Sequence, residues 1–217
     1  MFYIVEKDSK LKNLLKLGAF IEIIPSHYNF HPKLTDTTAI YIRILKSNYG
    51  YIIPVDHTEG INIDKKRILE LLKGANKLYT LNKKEVLYHF PLPDIIDISL
   101  LYSMTFFDRL EVTKESQLLN HFYNKFRGKN DINRIVPLSK LYEICENLYE
   151  KIKEYIDLKE PDGFKFYNNI ATSVFYLLEQ EGLGIYYDNF VKVFNPRDPL
   201  YNIDNNTVLT SYNLYNA

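Results

Sequence analysis

Ala39-Ile-Tyr-Ile-Arg-Ile-Leu45, followed by Asn48-Tyr-Gly50 and then Tyr51-Ile-Ile-Pro-Val55, is the stretch on which the fold turns. Ile40, Ile42 and Ile44 recur at every second position, which puts them on one face of an extended strand, and the Asn and Gly between two β-prone runs favour a tight reversal. A β-hairpin is predicted. Just upstream, Phe20-Ile-Glu-Ile-Ile24 predicts a further strand that Pro25 ends, so the hairpin has a neighbour in a sheet. Earlier still, Phe2 to Val5 is β-prone, and Leu11, Leu14 and Leu15 followed by Gly18 suit a helix closed by glycine.

Downstream the hydrophobic period lengthens. Asp64 is placed to cap a helix through Lys73, with Ile68, Leu69, Leu71 and Leu72 apolar and Gly74 at its end. Leu78 to Leu81 predicts a strand, Asn82 to Phe90 a short helix, and Asp94 to Ile98 a strand that runs into the apolar Leu100 to Phe107. From Pro137 the pattern is helical: Leu138, Leu141, Cys145, Leu148, Ile152 and Ile156 make one stripe. After Pro161-Asp-Gly163 a second stripe, Tyr167, Ile170, Ala171, Val174, Leu177 and Leu178, runs to Gly182. The expectation is an α/β domain over residues 1–136, then a helical segment over 137–217 whose two helices pack antiparallel and leave some apolar surface exposed.

Composition narrows the chemistry. Among 217 residues, 27 Lys and Arg balance 27 Asp and Glu, a weak electrostatic footprint for a free-standing nucleic-acid binder. No apolar run reaches about 18 residues, and the start of the chain turns polar at Glu6-Lys-Asp8, too early for a signal peptide, so a cytoplasmic chain without a membrane partner is expected. The single Cys145 sits on an apolar stripe and is expected to be a buried small hydrophobe. His27 and His31 are four apart, but Pro25 and Pro32 disfavour a helix there and no third ligand adjoins them, so no zinc site is expected. His57, His89 and His121 lack the Ser or Cys arrangement of a triad. Phe122-Tyr-Asn-Lys-Phe-Arg-Gly-Lys129 interleaves rings and cations. Lys125, Arg127, Lys129 and Arg134 are therefore candidate DNA contacts, the alternative being a solvated loop over a few buried rings.

Several segments resemble family A DNA polymerases. Val208-Leu-Thr-Ser-Tyr212 is similar to the family's lead from thumb to palm, after which Thr-Gly-Arg would begin at or just past Ala217. Leu178-Glu-Gln-Glu-Gly-Leu-Gly-Ile185 resembles the Met-Glu-x-x-Gly-Val-x-Ile-Asp that opens the polymerase region, with Tyr186 in place of the acid and Asp188 two residues later. Tyr51-Ile-Ile-Pro-Val-Asp-His57 and Asp97-Ile-Ser-Leu-Leu-Tyr102 resemble a strand end and the Asp-Thr-x-Leu-x-x-Tyr of the proofreading exonuclease domain. The resemblance implies a ribonuclease H-like α/β mixed sheet with helices, followed by a C-terminal helical pair that stands for a vestigial thumb, as in compact phage enzymes. It implies a non-catalytic N-terminal portion that supports DNA replication in a phage-infected bacterial cell, with primer-template DNA and a palm and fingers polypeptide as partners. Thr210, Ser211 and Tyr212 would join the DNA contacts, and magnesium would belong to the palm partner, with no cofactor in this chain. A split gene product, an intein-interrupted enzyme and a fragment all suit these observations.

The exonuclease chemistry itself needs carboxylates that converge on a metal pair. The family supplies them as Asp-x-Glu on the first strand, Asn-x-x-x-Asp after the fourth and Tyr-x-x-x-Asp before the final helix. Here Glu22 has no second acid two residues away, Leu81-Asn-Lys-Lys-Glu85 carries lysines and a displaced Glu85, and no Tyr-x-x-x-Asp lies between Phe107 and Pro137. Neither catalytic nor metal-binding residues are expected. Two alternatives stay open: a 3′–5′ exonuclease with a rearranged set of Glu22, Glu85 and Asp97, and a free-standing interaction module.

Overall fold

A computed structural model of the chain describes residues 2–4, 8–27, 32–92, 94–108, 110 and 132–181, and the predicted hairpin lies inside its sheet. Strands β2 (Ala19–Pro25), β3 (Thr37–Ile44) and β4 (Gly50–Pro54) form an antiparallel meander, in which Ile42 of β3 stands between Ile21 and Tyr51. Beyond β2 lie β5 (Leu78–Thr80) and β6 (Ile96–Asp97), each parallel to its neighbour, and β1 (Phe2–Ile4) joins the opposite edge in parallel with β4. The resulting mixed sheet is six-stranded in the order β1-β4-β3-β2-β5-β6.

Helices cover both faces. Ile21, Ile23, Ile40, Ile42 and Ile44 meet Leu11 and Leu15 of α1 (Asp8–Leu15) and Ile68, Leu71 and Leu72 of α2 (Lys65–Lys73). On the other face Phe20, Ile24, Tyr41 and Ile52 meet Leu101 of α4 (Ile98–Phe106) and the stripe of α5 (Leu138–Ile152). A sheet covered on both sides explains why β2, β3 and β4 read as nearly unbroken apolar runs. Burying each such side chain contributes about 1.5–3 kcal/mol, against propensity differences of roughly 0–0.7 kcal/mol per residue. Packing, rather than intrinsic preference, therefore fixes where α5 lies.

The ends of the elements follow the local chemistry. Asp64 Oδ1 accepts from Lys66 N at 2.7 Å at the start of α2, and Asn82 Oδ1 accepts from Glu85 N at 3.3 Å at the start of α3 (Lys83–His89). Gly18 takes φ +87° after α1, a conformation that favours glycine. Helix α5 begins after Pro137, which has no capping side chain, and Glu59 from the loop after β4 accepts from Leu138 N at 3.0 Å instead.

The chain groups into two compact units, Met1–Thr172 and Ser173–Ala217. Helix α5 belongs to the first, where all the residues of its predicted stripe, through Ile156, are buried. The next helical stretch comprises α6 (Phe164–Phe166), a π-helical turn (Tyr167–Ala171) and α7 (Thr172–Glu181). Its second stripe stays largely exposed. Phe164 and Asn168 point inward, whereas Tyr167, Ile170, Val174, Leu177 and Leu178 are each more than two-fifths exposed. Within the first unit the π turn, closed by Thr172 N donating to Tyr167 O, shifts the helical phase and gives the inward position to Asn168. Among the described residues, no helix is long and apolar enough to cross a membrane.

Candidate functional site

Parallel strands β5 and β6 end side by side, with Thr80 opposite Asp97, and the carboxyl ends of parallel strands are where open α/β sheets place their ligands. A buried polar cluster occupies that end. From β2, Glu22 Oε1 accepts from Leu81 N at 2.7 Å and from Thr80 Oγ1 at 3.2 Å. Asp97 Oδ1 accepts from Leu100 N at 3.0 Å, capping α4, while Oδ2 accepts from Lys83 N at 2.8 Å at the first residue of α3. A single carboxylate thus serves two helix N-termini, where free N–H groups and the helix dipole favour negative charge. Burial pushes the Asp97 carboxyl above the usual range, and the N–H groups of Leu100, Lys83 and Ser99 oppose that rise.

Lys83 shares the inward face of α3 with Val86 and Leu87, and its side chain is fully buried. Its Nζ donates to Asn169 Oδ1 at 3.1 Å. Burial pulls the ammonium down to about 8, against the attraction of Asp94 and Asp97 for its charge. The π turn delivers the remaining partners. Asn168 Oδ1 accepts from Asp97 N at 3.0 Å and its Nδ2 donates to Ile95 O at 3.0 Å, so one side-chain amide pairs with the edge of β6 as a further strand would. The same Nδ2 reaches Asn169 Oδ1 at 2.7 Å.

Glu22, Lys83, Asp97 and Asn168 are each at most 8% exposed. Such a cluster is a polar tie between β2, β5, β6, α3, α4 and the π turn, in which backbone N–H groups bond Glu22 Oε1 and both oxygens of Asp97. Among the described residues, no group of three or more His, Cys, Asp or Glu is placed to hold a metal ion, so Glu22, Glu85 and Asp97 do not converge as the rearranged nuclease set would require. Glu85 stays in the first turn of α3, half-buried.

A second polar group joins β3 to α5. Tyr41 Oη donates to Glu146 Oε2 at 2.6 Å, Arg43 Nη1 lies 3.2 Å from Glu146 Oε1, and the Arg43 guanidinium sits 5.2 Å from the centre of the Tyr149 ring. Burial, then the Glu146 carboxylate, raises the Tyr41 hydroxyl above its usual range and pushes Tyr142 up to about 12.

Of the seven sequence candidates for DNA contact, Arg134 alone falls among the described residues. Arg134 lies in a 3-10 turn (Ile132–Arg134), half-exposed, with Nη2 on Asp56 Oδ1 at 2.6 Å and its carbonyl accepting from Thr58 Oγ1 at 2.8 Å. Lys125, Arg127, Lys129, Thr210, Ser211 and Tyr212 lie outside the described residues, as do His31 and His121. His57 accepts from Glu59 N at Nδ1, 2.9 Å away, which leaves the proton on Nε2 to donate to Val136 O at 2.9 Å. It is a core histidine, and Cys145 is buried as its stripe position predicts. Lys83, Asn168 and Asn169 were not singled out in sequence. The available signal was positional: Lys83 precedes Val86 and Leu87 by three and four residues, and Asn168 follows Phe164 by four, so each lies on an otherwise apolar helix face. No protein-family model matches the chain, and no curated protein does so either.

Proposed function

We propose that the chain is the non-catalytic, exonuclease-like part of a family A DNA polymerase, which supports template-directed DNA synthesis by holding primer-template DNA beside a palm and fingers polypeptide. The observation that carries this reading is the sheet. Without the edge strand β1, the order β4-β3-β2-β5-β6, with β3 antiparallel to both its neighbours and β5 and β6 parallel to β2, is the order of ribonuclease H-like domains. The motifs suit that frame: Asp97-Ile-Ser-Leu-Leu-Tyr102 opens α4, and Tyr51 to His57 covers β4 and its exit.

In the same frame β2 is the strand that would carry the first nuclease acids. It carries Phe20 and Glu22. Phe20 is buried against the rings of Tyr41 and Tyr149, at centroid distances of 6.4 and 5.7 Å, and Glu22 is bonded to Leu81 N. The segment that would supply Asn-x-x-x-Asp holds the buried Lys83. In this reading an aromatic ring and an ammonium take two positions at which a two-metal centre needs carboxylates, which favours a scaffold over a nuclease. Magnesium, in this reading, belongs to the palm partner.

Val174, Leu177 and Leu178 on α7 offer that partner an apolar strip. Sedimentation of the chain mixed with a palm and fingers polypeptide tests the assembly. A shared boundary is expected, and Leu177→Glu should weaken the complex about tenfold or more, equivalent to ~1.4 kcal/mol. A chain that sediments independently of that polypeptide would remove the basis of the proposal.

A further inference from the structure

The charges of this chain sum to zero, yet two of its described layers differ in sign. Segments 8–16 and 64–73, which form α1 and α2 with their flanks, hold seven basic residues against three acidic ones, whereas 138–162, on the other side of the sheet, holds four basic against seven acidic. Both helices lie on the same sheet face, since Leu11 and Leu15 share a core with Ile68, Leu71 and Leu72. Their C-terminal ends are adjacent, with Asn76 N donating to Leu15 O at 3.3 Å. Lys12, Lys16, Lys66 and Lys73 are exposed on this layer. The acid at the head of α2, Asp64, is occupied in capping it.

We propose that the α1–α2 layer is a docking bed for the phosphate backbone of duplex nucleic acid, with Lys12, Lys16, Lys66 and Lys73 as its phosphate contacts. This rests on the DNA-polymerase reading above for the choice of polyanion, and it places a contact on a layer that the sequence motifs did not indicate. Charge complementarity is local here: the bed is basic although the molecule is neutral, and the acidic opposite face orients the duplex away from α5. Residues 8–17 and 64–77 contain no aromatic side chain, so stacking on bases is unavailable and the contact is independent of sequence. Insertion into a membrane would need an apolar edge, and at the end of α1 only Leu17 among its described residues is both large, apolar and exposed.

The test is fluorescence anisotropy of a short labelled DNA duplex with the full chain over a range of potassium chloride, read as the slope of log affinity against log salt. Changing Lys12, Lys16, Lys66 and Lys73 to Gln together should reduce the slope by roughly four, and either pair alone by about two. Lys140→Gln with Lys151→Gln, on the opposite face, should leave it unchanged. Circular dichroism checks that each variant is folded, and the paired variants keep the test valid if the quadruple variant is not. Wild-type slopes in the quadruple or the paired variants would overturn the proposal, as would tight binding to phosphatidylserine vesicles without binding to duplex. Lysine-dependent duplex binding by a chain that joins no palm and fingers polypeptide would sink the polymerase reading while leaving this bed intact. Partner-dependent synthesis that survives the quadruple substitution with full duplex affinity would do the reverse.

Discussion

Glu22 is an acid on a central strand of a sheet buried on both faces, and its carboxylate is held by the Leu81 amide at 2.7 Å. Removing the acceptor strands that amide away from water. Glu22→Ala is therefore expected to lower the unfolding free energy by about 1–3 kcal/mol in urea titrations; a loss below the error of such titrations would mean that the amide finds water. Gly50 is constrained from outside: a β-carbon there would overlap the Tyr142 phenol, with Cε2 only 2.9 Å away. Gly50→Ala should cost about 1–3 kcal/mol, and the penalty should shrink in a Tyr142→Ala background, which a double-mutant cycle would read. Lys83 gives a pH signature. Its native value of about 8 lies below the 10.5 of an ordinary lysine because burial disfavours the charge. Between these two values the unfolded chain binds a proton that the native chain has released, so this group makes stability rise with pH across the window, while below about 8 the native state bears the buried ammonium in full. The stability of Lys83→Met relative to wild type should accordingly fall as pH is raised through that window, and a constant difference would refute the assignment.

At the scale of elements, the π turn is the least anticipated feature and the one that completes the polar cluster. Asn168→Ala should expose the β6 edge, seen as faster hydrogen exchange at the Asp97 amide and a loss of about 1–3 kcal/mol. Unchanged protection of Asp97 would show that the amide pairing is dispensable. Most strands and helices were legible because alternation in β3 and the 3.6-residue stripe of α5 reflect direct burial. The stripe from Tyr167 to Leu178 has the same spacing and a different fate, because spacing reports which residues share a face and not what that face meets. The polar cluster was legible only in fragments. Glu22 and Asp97 drew attention as acids, whereas their actual partners are backbone amides, an ammonium on an apolar helix face and an asparagine from a segment 71 residues away in the chain, none of which leaves a linear motif.

At the scale of the whole molecule, the neutral total hides a basic layer over α1 and α2 and an acidic one over residues 138–162, on opposite sides of the sheet, so composition does not report the local charge on which the proposed docking bed rests. The strand order places the chain among α/β folds with a mixed sheet; under the ribonuclease H-like reading that we propose, Phe20, Glu22 and Lys83 would take the nuclease positions. The most direct test is a gel assay with an end-labelled primer on a template, magnesium and all four nucleotides, run with this chain alone and with a palm and fingers polypeptide. The account predicts extension only in the mixture and an intact primer with the chain alone. Metal-dependent shortening of the primer by the chain alone would contradict it.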